Sequence, residues 1–525
     1  MRLVTAAEMR VIESAAGTWG VDAATLLVQA GTAVADRLGA LYGTGRNAVV
    51  LVGKGNNGGD ALVASRRLAE LYRWRVTTVV VANREADDHL AALHKPELHA
   101  LVTVVAATAN SFERALEAVE RALLSADVVI DGLLGIGATG PLRGQIAAIL
   151  DRCDAVPAWG GQARIAVDIP SGVDANTGEA AAGAFCATRT LSTGPAKPGC
   201  FVGEGGRLAG FVDVLDIGLP DAVWPLRQAV NVEDDGTMRR VTAREAAVIV
   251  PARPNRSHKG SFGRVLVVGG SARYPGAPVL AALGAVHGGA GVVSVARPTL
   301  ASRVNLPPEV VAASVKVAGD AFGPDDVQCL VAASARARAV VVGPGLGTEA
   351  RTIEAVRLFV GRLSPSLPVV IDADGLNALA GTMDGRNAKW VVTPHAAEMS
   401  RLAAVSIAEV LRDPIGVARE AAQQWGVVVV LKGAPTVIAT PRGTVAVGAY
   451  ANAALATGGS GDVLAGLVGA LFAQRLTAWH AAVAGVATHA VAGEFWRRHH
   501  GSSGARASQL AAFIPDAAAM VARMA

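Results

Sequence analysis

The sequence predicts an α/β protein built as two three-layer α/β domains, and three observations carry that expectation. Apolar strands rich in Val, Ile and Leu alternate with amphipathic stretches through both halves, the pattern of parallel sheets covered on both faces. The alternation breaks between Ile217 and Lys259, where Pro220, Pro225, Pro251, Pro254 and the acidic pair Asp234 and Asp235 interrupt it. At 525 residues the chain also exceeds one ordinary core. The boundary is therefore expected near residue 225, giving domains 1–224 and 225–525, with no strong strand between 217 and 259. The halves share no sequence period, so they read as different domains joined together rather than one domain duplicated.

Taken in order, Thr5 and Glu8 have capping-box spacing and open a first helix, with Met9, Ile12, Leu26, Leu27 and Val28 as apolar positions. Strands are expected at 48–52, 75–81, 101–105, 127–130 and 164–167 in the first half. The second half should supply them at 264–268, 291–296, 339–342, 369–371, 390–392 and 427–431.

Composition excludes several classes. A hydrophobic content of 51% against 18% charged residues rules out a disordered chain, and 4% aromatics leaves the core to Ala, Val and Leu. The 60 glycines mark tight turns. Mean hydropathy of +0.38 raises the question of a membrane span. The uncharged stretch Tyr274 to Ala296 is broken by Pro275, Pro278 and five glycines, so it reads as a buried helix and strand. The N-terminus lacks the apolar region of a secretory signal, and a cytoplasmic protein is expected. Cys153, Cys186, Cys200 and Cys329 have no CxxC spacing, which disfavours a zinc site or a disulfide scaffold. A net charge of +4 without a Lys/Arg run predicts no nucleic-acid partner.

In the first half, the strand at 48–52 runs into Gly53-Lys54-Gly55-Asn56-Asn57-Gly58-Gly59-Asp60, and a helix is expected from Ala61 to Tyr72. Such a loop turns backbone N–H groups toward an anion. It lacks the terminal Gly-Lys-Ser/Thr of a nucleoside triphosphatase; the plain alternative is a tight turn. A second loop carries Asp131, Gly135, Ile136, Gly137, Ala138, Thr139, Gly140 and Pro141, and a third carries Asp168 and Ser171. Each follows a strand, so all should meet at the C-terminal edge of the sheet, where ligands bind. Asn57, Asp131, Asp168 and Ser171 offer hard oxygen donors for a monovalent or divalent cation, with helix capping by Asp168 or Ser171 as the alternative.

The runs GKGNNGGD, DGLLGIG, VDIPSGVD and GPAKPG, in this order, resemble the NAD(P)HX epimerase domain over about residues 1–218. The resemblance implies a Rossmann-like domain in which Asn56, Asn57, Gly58, Gly59, Asp60 and Gly135 to Pro141 surround a hydrated nicotinamide nucleotide. It further implies Asn57, Asp131 and Ser171 as potassium ligands, and Asp168 and Lys197 as acid/base groups. Inverting C6 of the hydrate calls for moving a proton, which a carboxylate and an ammonium can do. One departure is Ala61, where relatives carry Gly.

In the second half, Gly458-Gly459-Ser460-Gly461-Asp462 precedes an apolar helix expected from Val463. Glycine N–H groups there can hold charge on a transferred phosphoryl group, while Asp462 accepts a hydroxyl proton; an ordinary N-cap is the alternative. GPGLG (343–347), DADGLN (372–377), TPH (393–395) with Glu398, and KGAPT (432–436) each follow an apolar strand. Together they resemble the ribokinase-like NAD(P)HX dehydratase over about 258–470. The resemblance implies that Ala277, Gly345 or Gly347, His395 and Asp462 contact the hydrate. Lys432, Gly433, Ala434, Pro435, Thr436 and Gly461 would then contact the adenine nucleotide, and Glu398 would assist magnesium. Outside that context His395 would be a buried structural histidine and Lys259 and Lys432 surface lysines.

The two resemblances imply one bifunctional repair enzyme. Its substrates would be NADHX and NADPHX, its co-substrate ADP or ATP (ADP giving AMP and phosphate), its ions potassium and magnesium, and its state a homo-oligomer. Two other readings stand beside it: a conventional kinase for a vitamin-precursor alcohol fused to a nucleotide-sensing module, and a first domain used only for interaction, against which Asp168 and Lys197 argue.

Overall fold

The computed structural model describes residues 1–524 apart from 82–83, 85–86, 108–110, 157–160, 225–232, 300–303, 316, 318 and 387–388. The chain divides into two compact units, Arg2–Ala229 and Val230–Ala525, the latter joined by Met1. The division expected near residue 225 falls outside the described residues.

In the N-terminal unit the strands lie in the order Val102–Ala106, Arg75–Val80, Asn47–Val52, Val128–Gly132, Ala163–Val167, Arg189–Thr193 and Phe211–Leu215, all parallel. Alternation decides which face each side chain serves. Ala48, Val50 and Val52 join Val34, Leu38, Leu62 and Leu68 in one core, and Val49 and Leu51 join Leu116, Val119 and Ile149 in the other. Register sets Val52 opposite Gly132 and Asp131 opposite Ala166, so the loops that follow leave the sheet at one edge. The last two strands were not expected from the sequence. Arg189–Thr193 is polar at most positions, and Phe211–Leu215 pairs on one side only.

The strands of the C-terminal unit lie in the order Met238–Val241, Val445–Gly448, Val437–Ala439, Val428–Leu431, Trp390–Val392, Val369–Ile371, Ala339–Val342, Arg264–Val268, Val292–Ala296 and Val310–Ala312. Val437–Ala439 runs antiparallel to both neighbours. The expectation of no strand between 217 and 259 is overturned: Met238–Val241 pairs in parallel with Val445–Gly448. Its four residues include two arginines, too short and too polar for a period to show, and a distant partner supplies the pairing. Tyr274 to Ala296 is a helix, Ala277–His287, followed by a strand, and no described helix is long and apolar enough to cross a membrane.

Two helices start earlier than expected. Helix Asn56–Tyr72 absorbs Asn56 to Asp60 into its first turn, and helix Ser460–Ala473 absorbs Ser460 to Asp462. First-turn N–H groups have no intrahelical partner, so glycine there costs little helix stability and leaves donors free for a ligand. Helix Ser460–Ala473 also packs tightly on helix Ala277–His287. A Cβ at Gly466 would collide with the Ala281 carbonyl oxygen and one at Gly284 with that of Val463. This glycine contact sets Val463, the neighbour of Asp462, against Gly284 of the facing helix.

Candidate active sites

In the N-terminal unit a cavity of about 460 Å³ opens where the three loops leave the sheet. It is lined by Asn56, Asn57, Asp60, Gly135, Ile136, Gly137, Ala138 and Asp168, as expected, together with Arg10, Glu13, Lys54 and Thr193. Thr139, Gly140 and Pro141 line an adjoining cavity of about 730 Å³ that also reaches Gly137 and Ala138. Gly58 and Gly59 line neither; they are close-packing positions, Gly58 against the Gly53 carbonyl oxygen and Gly59 against Leu27. Arg84 braces the loop from below, donating to the carbonyl oxygens of Gly53 (2.6 Å) and Gly55 (3.0 Å). The methyl group of Ala61 is buried and packs toward Gly132, where an added Cβ would stand 2.6 Å away.

Asp168 sits just past strand Ala163–Val167 with φ of +63°, a strained conformation for a residue with a side chain. That turn aims its carboxylate at the cavity and at Lys197, whose ammonium donates to Oδ1 from a fully buried position. Oδ1 also accepts from the Thr193 backbone N–H (3.1 Å) and the Ser192 hydroxyl (3.4 Å). Lys197 does not line the cavity; it stands behind Asp168 and holds it. Asp60 faces the same space, and burial, then the neighbouring Asp168 charge, pushes its carboxyl well above the usual range, Lys197 and Arg84 only partly opposing this.

The three expected cation ligands are drawn together. The Ser171 hydroxyl donates to Asp131 Oδ1 (2.6 Å) and its N–H to Oδ2 (2.8 Å), while the Leu133 N–H donates to Oδ1 (3.1 Å). The Asn57 amide donates to the carbonyl oxygens of Leu134 (2.9 Å) and Val167 (2.7 Å), so its own oxygen faces the Gly135 side of the site. Burial raises Asp131 to about 6 despite those hydrogen bonds.

In the C-terminal unit, Lys432 is the hub. Its ammonium donates to Asp372 Oδ1 (2.7 Å), lies 3.6 Å from Glu398 Oε2, and would be 3.3 Å from a Cβ at Gly461. Burial opposes its charge, but the Asp372 and Glu398 carboxylates outweigh burial and raise its pKa. Asp462, in the helix turn above, is raised to about 8 by burial, then by the negative charge of Asp372, Asp374 and Glu398, with Lys432 partly offsetting. Gly345 adopts φ of +68°, and an added Cβ would stand 3.0 Å from that of Ala277, so these two expected contacts share one place. The Gly347 N–H donates to Asp374 Oδ2 (2.9 Å).

His395 is no buried structural residue. Half-exposed, it caps helix Ala396–Ala403, its Nδ1 accepting from the N–H groups of Ala397 (3.1 Å) and Glu398 (3.3 Å), and Glu398 returns the bond to the His395 N–H (2.8 Å). Lys432, Gly433, Ala434, Thr436 and Gly461 line a cavity of about 310 Å³; Pro435 does not. The same cavity reaches Tyr450, Asn452 and His489, none of which the sequence singled out. Burial, then the Lys432 charge, lowers His489 to about 4. Among the described residues no group of three or more His, Cys, Asp and Glu is placed to hold a metal ion.

The residues missed in the first unit are Arg10, Glu13 and Arg84. Glu13 did carry a signal: it falls four residues after Met9 and three before Ala16, the buried stripe of helix Ala6–Thr18, where a carboxylate is out of place.

Residues 23–199 match the family described as YjeF-related protein N-terminus, and residues 265–516 match the family described as NAD(P)H-hydrate dehydratase. The bifunctional NAD(P)H-hydrate repair enzyme Nnr of Salinibacter ruber is 37% identical over 95% of this chain and 93% of its own length. The chain belongs to the bifunctional NAD(P)H-hydrate repair enzymes. The Moorella thermoacetica repair enzyme of that name is 33% identical over 98% of this chain and 96% of its own length. A solved ADP/ATP-dependent NAD(P)H-hydrate dehydratase from Bacillus subtilis, co-crystallised with ATP and Mg²⁺, is 30% identical. It covers 54% of this chain and 98% of its own, with a TM-score of 0.47. Both units of this repair enzyme thus have a counterpart in the matched families, and each holds a cavity lined by residues of its own motifs.

Proposed function

We propose that the protein repairs hydrated NADH and NADPH in two steps. Residues 1–224 interconvert the R and S epimers at C6, and residues 225–525 dehydrate the S epimer with ADP, giving AMP and phosphate. The supporting observation is that one chain presents two poised carboxylates, one in each unit: Asp168, lining the first cavity and anchored by buried Lys197, and Asp462, raised to about 8 beside Lys432 and next to Gly461, which lines the second. The pairing makes chemical sense, because spontaneous hydration yields both epimers and a dehydratase limited to one needs a partner.

At the first site Asp168 moves the proton of the C6 hydroxyl. Lys197 holds the carboxylate in a fixed direction through the shared Oδ1, and Asn56, Asn57 and the Gly135–Ala138 loop position the ring. Asn57, Asp131 and Ser171 suit a hard monovalent cation: the donors are oxygen, and the hydrogen bonds to the fully buried Asp131 carboxylate do not offset the cost of burying its charge, which a cation would lower. Potassium bound there would neutralise that charge and tie the three loops together.

At the second site Asp462 takes the C6 hydroxyl proton as that oxygen attacks the terminal phosphoryl group of ADP and AMP leaves. The ring nitrogen pair then expels phosphate, and loss of a C5 proton restores the dihydropyridine. Lys432 and the Gly461 N–H stabilise the transferring phosphoryl charge. Asp372, Asp374 and Glu398 crowd negative charge around Asp462, more than Lys432 offsets, which suits a magnesium ion arriving with the nucleotide; it would neutralise the phosphates.

The test is to supply separated R and S hydrates with ADP or ATP and follow each by chromatography. Reduced nicotinamide should return from S directly and from R only through S. A stable phosphorylated alcohol would instead mark a conventional kinase.

A further inference from the structure

We propose that Glu13 is a second acid/base residue of the epimerase site, acting from the helix side of the cavity while Asp168 acts from the sheet side. The inference rests on the assignment of Asp168 to the reaction.

Inversion at C6 has two halves. In the first, the C6–O bond breaks as the ring nitrogen pair forms N1=C6, and the departing oxygen takes a proton from an acid and leaves as water. In the second, a water adds to the other face, the C6–O bond forms, the π pair returns to N1, and the added water gives a proton to a base. One water leaves and one enters; one proton is given and one accepted. The proton thus ends on a different group from the one that supplied it, and the reverse epimerisation starts from that state. Two carboxyls reaching one ring from different sides satisfy this balance, whereas a single carboxyl anchored on one side reaches one face.

Asp168 is anchored: its Oδ1 is held by Lys197, Thr193 and Ser192. Glu13 lines the same cavity from helix Ala6–Thr18, and no hydrogen bond or ion pair engages its carboxyl among the described residues. The charged groups around it are Arg10 on its own helix, Lys54 and Asp60 from the glycine turn, and Asp168 and Lys197 from the sheet side. Burial raises the Glu13 pKa, Lys197 lowers it, Asp168 raises it and Arg10 lowers it, with a net rise that favours holding a proton nearer neutrality than an exposed glutamate would. Asp60 is the rival carboxyl. It follows strand Asn47–Val52 and so enters the cavity from the sheet edge, as Asp168 does, whereas Glu13 enters from helix Ala6–Thr18.

The experiment uses the full chain without nucleotide, so that only epimerisation proceeds, and follows pure S hydrate turning into R by chromatography above the spontaneous rate. Glu13→Gln should lower kcat by about 100-fold or more, Glu13→Asp should recover part of it, and Glu13→Gln should remove one limb of the pH profile of kcat/KM. S-hydrate dehydration with ADP should match wild type, and circular dichroism melting should show the N-terminal unit folded. A Glu13→Gln enzyme with wild-type epimerisation, when Asp168→Asn has none, would overturn this inference alone. A change in KM only, with both pH limbs kept, would also overturn it, by making Glu13 a binding group. Wild-type rates in both variants would overturn the assignment of Asp168 beneath it.

Discussion

If Asp462 is the general base of dehydration, its elevated pKa must appear in the pH dependence of the free enzyme, because only the ionised carboxylate accepts a proton. With the group at about 8, the ionised fraction is about 1% at pH 6, about 9% at pH 7 and about half at pH 8. The value of kcat/KM for S hydrate at subsaturating ADP should therefore climb about 50-fold from pH 6 to pH 8 and level off above about 9. Lys432 is the charge that opposes the rise, so Lys432→Met should move the limb to higher pH as well as weaken nucleotide binding. Asp462→Asn should erase the limb and cost about 100-fold or more in turnover, while calorimetry still registers ADP through Lys432 to Thr436. The assay is the return of reduced-nicotinamide absorbance, with ADP affinity measured over the same pH range so that nucleotide titration is separated. A wild-type profile flat between pH 6 and pH 9, or an Asp462→Asn enzyme near wild-type turnover, would refute the assignment.

Three further outcomes are expected. Lys197→Met strands a buried carboxylate and should destabilise the N-terminal unit by about 3–5 kcal/mol in urea unfolding, most of which the double variant with Asp168→Asn should recover; a single variant as stable as wild type would remove the ion pair from the account. Asp131 has a folded pKa of about 6 against an ordinary 3.8, so its contribution to stability is full below about 4 and lost as pH rises through about 6. Potassium bound to the ionised form should accordingly raise Tm more at pH 7 than at pH 4.5, relative to choline, and equal shifts would exclude Asp131 as a ligand. Gly58→Ala places a methyl group against the Gly53 carbonyl oxygen and should cost about 1–3 kcal/mol and most epimerase activity, with S-hydrate dehydration unchanged; wild-type R-hydrate repair would show that the turn has room.

The sequence by itself determined the two α/β units, most strands and the strand-end loops, because each of these is written locally. A Val/Ile/Leu run between turn residues marks a buried parallel strand wherever it goes, and a parallel sheet delivers the loops after its strands to one edge. Asp168 and Asp131 could thus be placed at that edge without coordinates, and the motif resemblance added Lys432 and Asp462. Helix starts were misplaced at Asn56 and Ser460, because glycines read as loop when their first-turn role depends on close backbone contacts made elsewhere. Strand Met238–Val241 escaped because its pairing comes from Val445–Gly448, far along the chain. Only the tertiary structure decided what each charged group does. Lys197 became a buried anchor for Asp168, Lys432 a hub for Asp372 and Glu398, and Glu13 a neighbour of both members of the Asp168–Lys197 pair. Burial and charge proximity set those roles, and both are sums over residues that only the folded chain brings together.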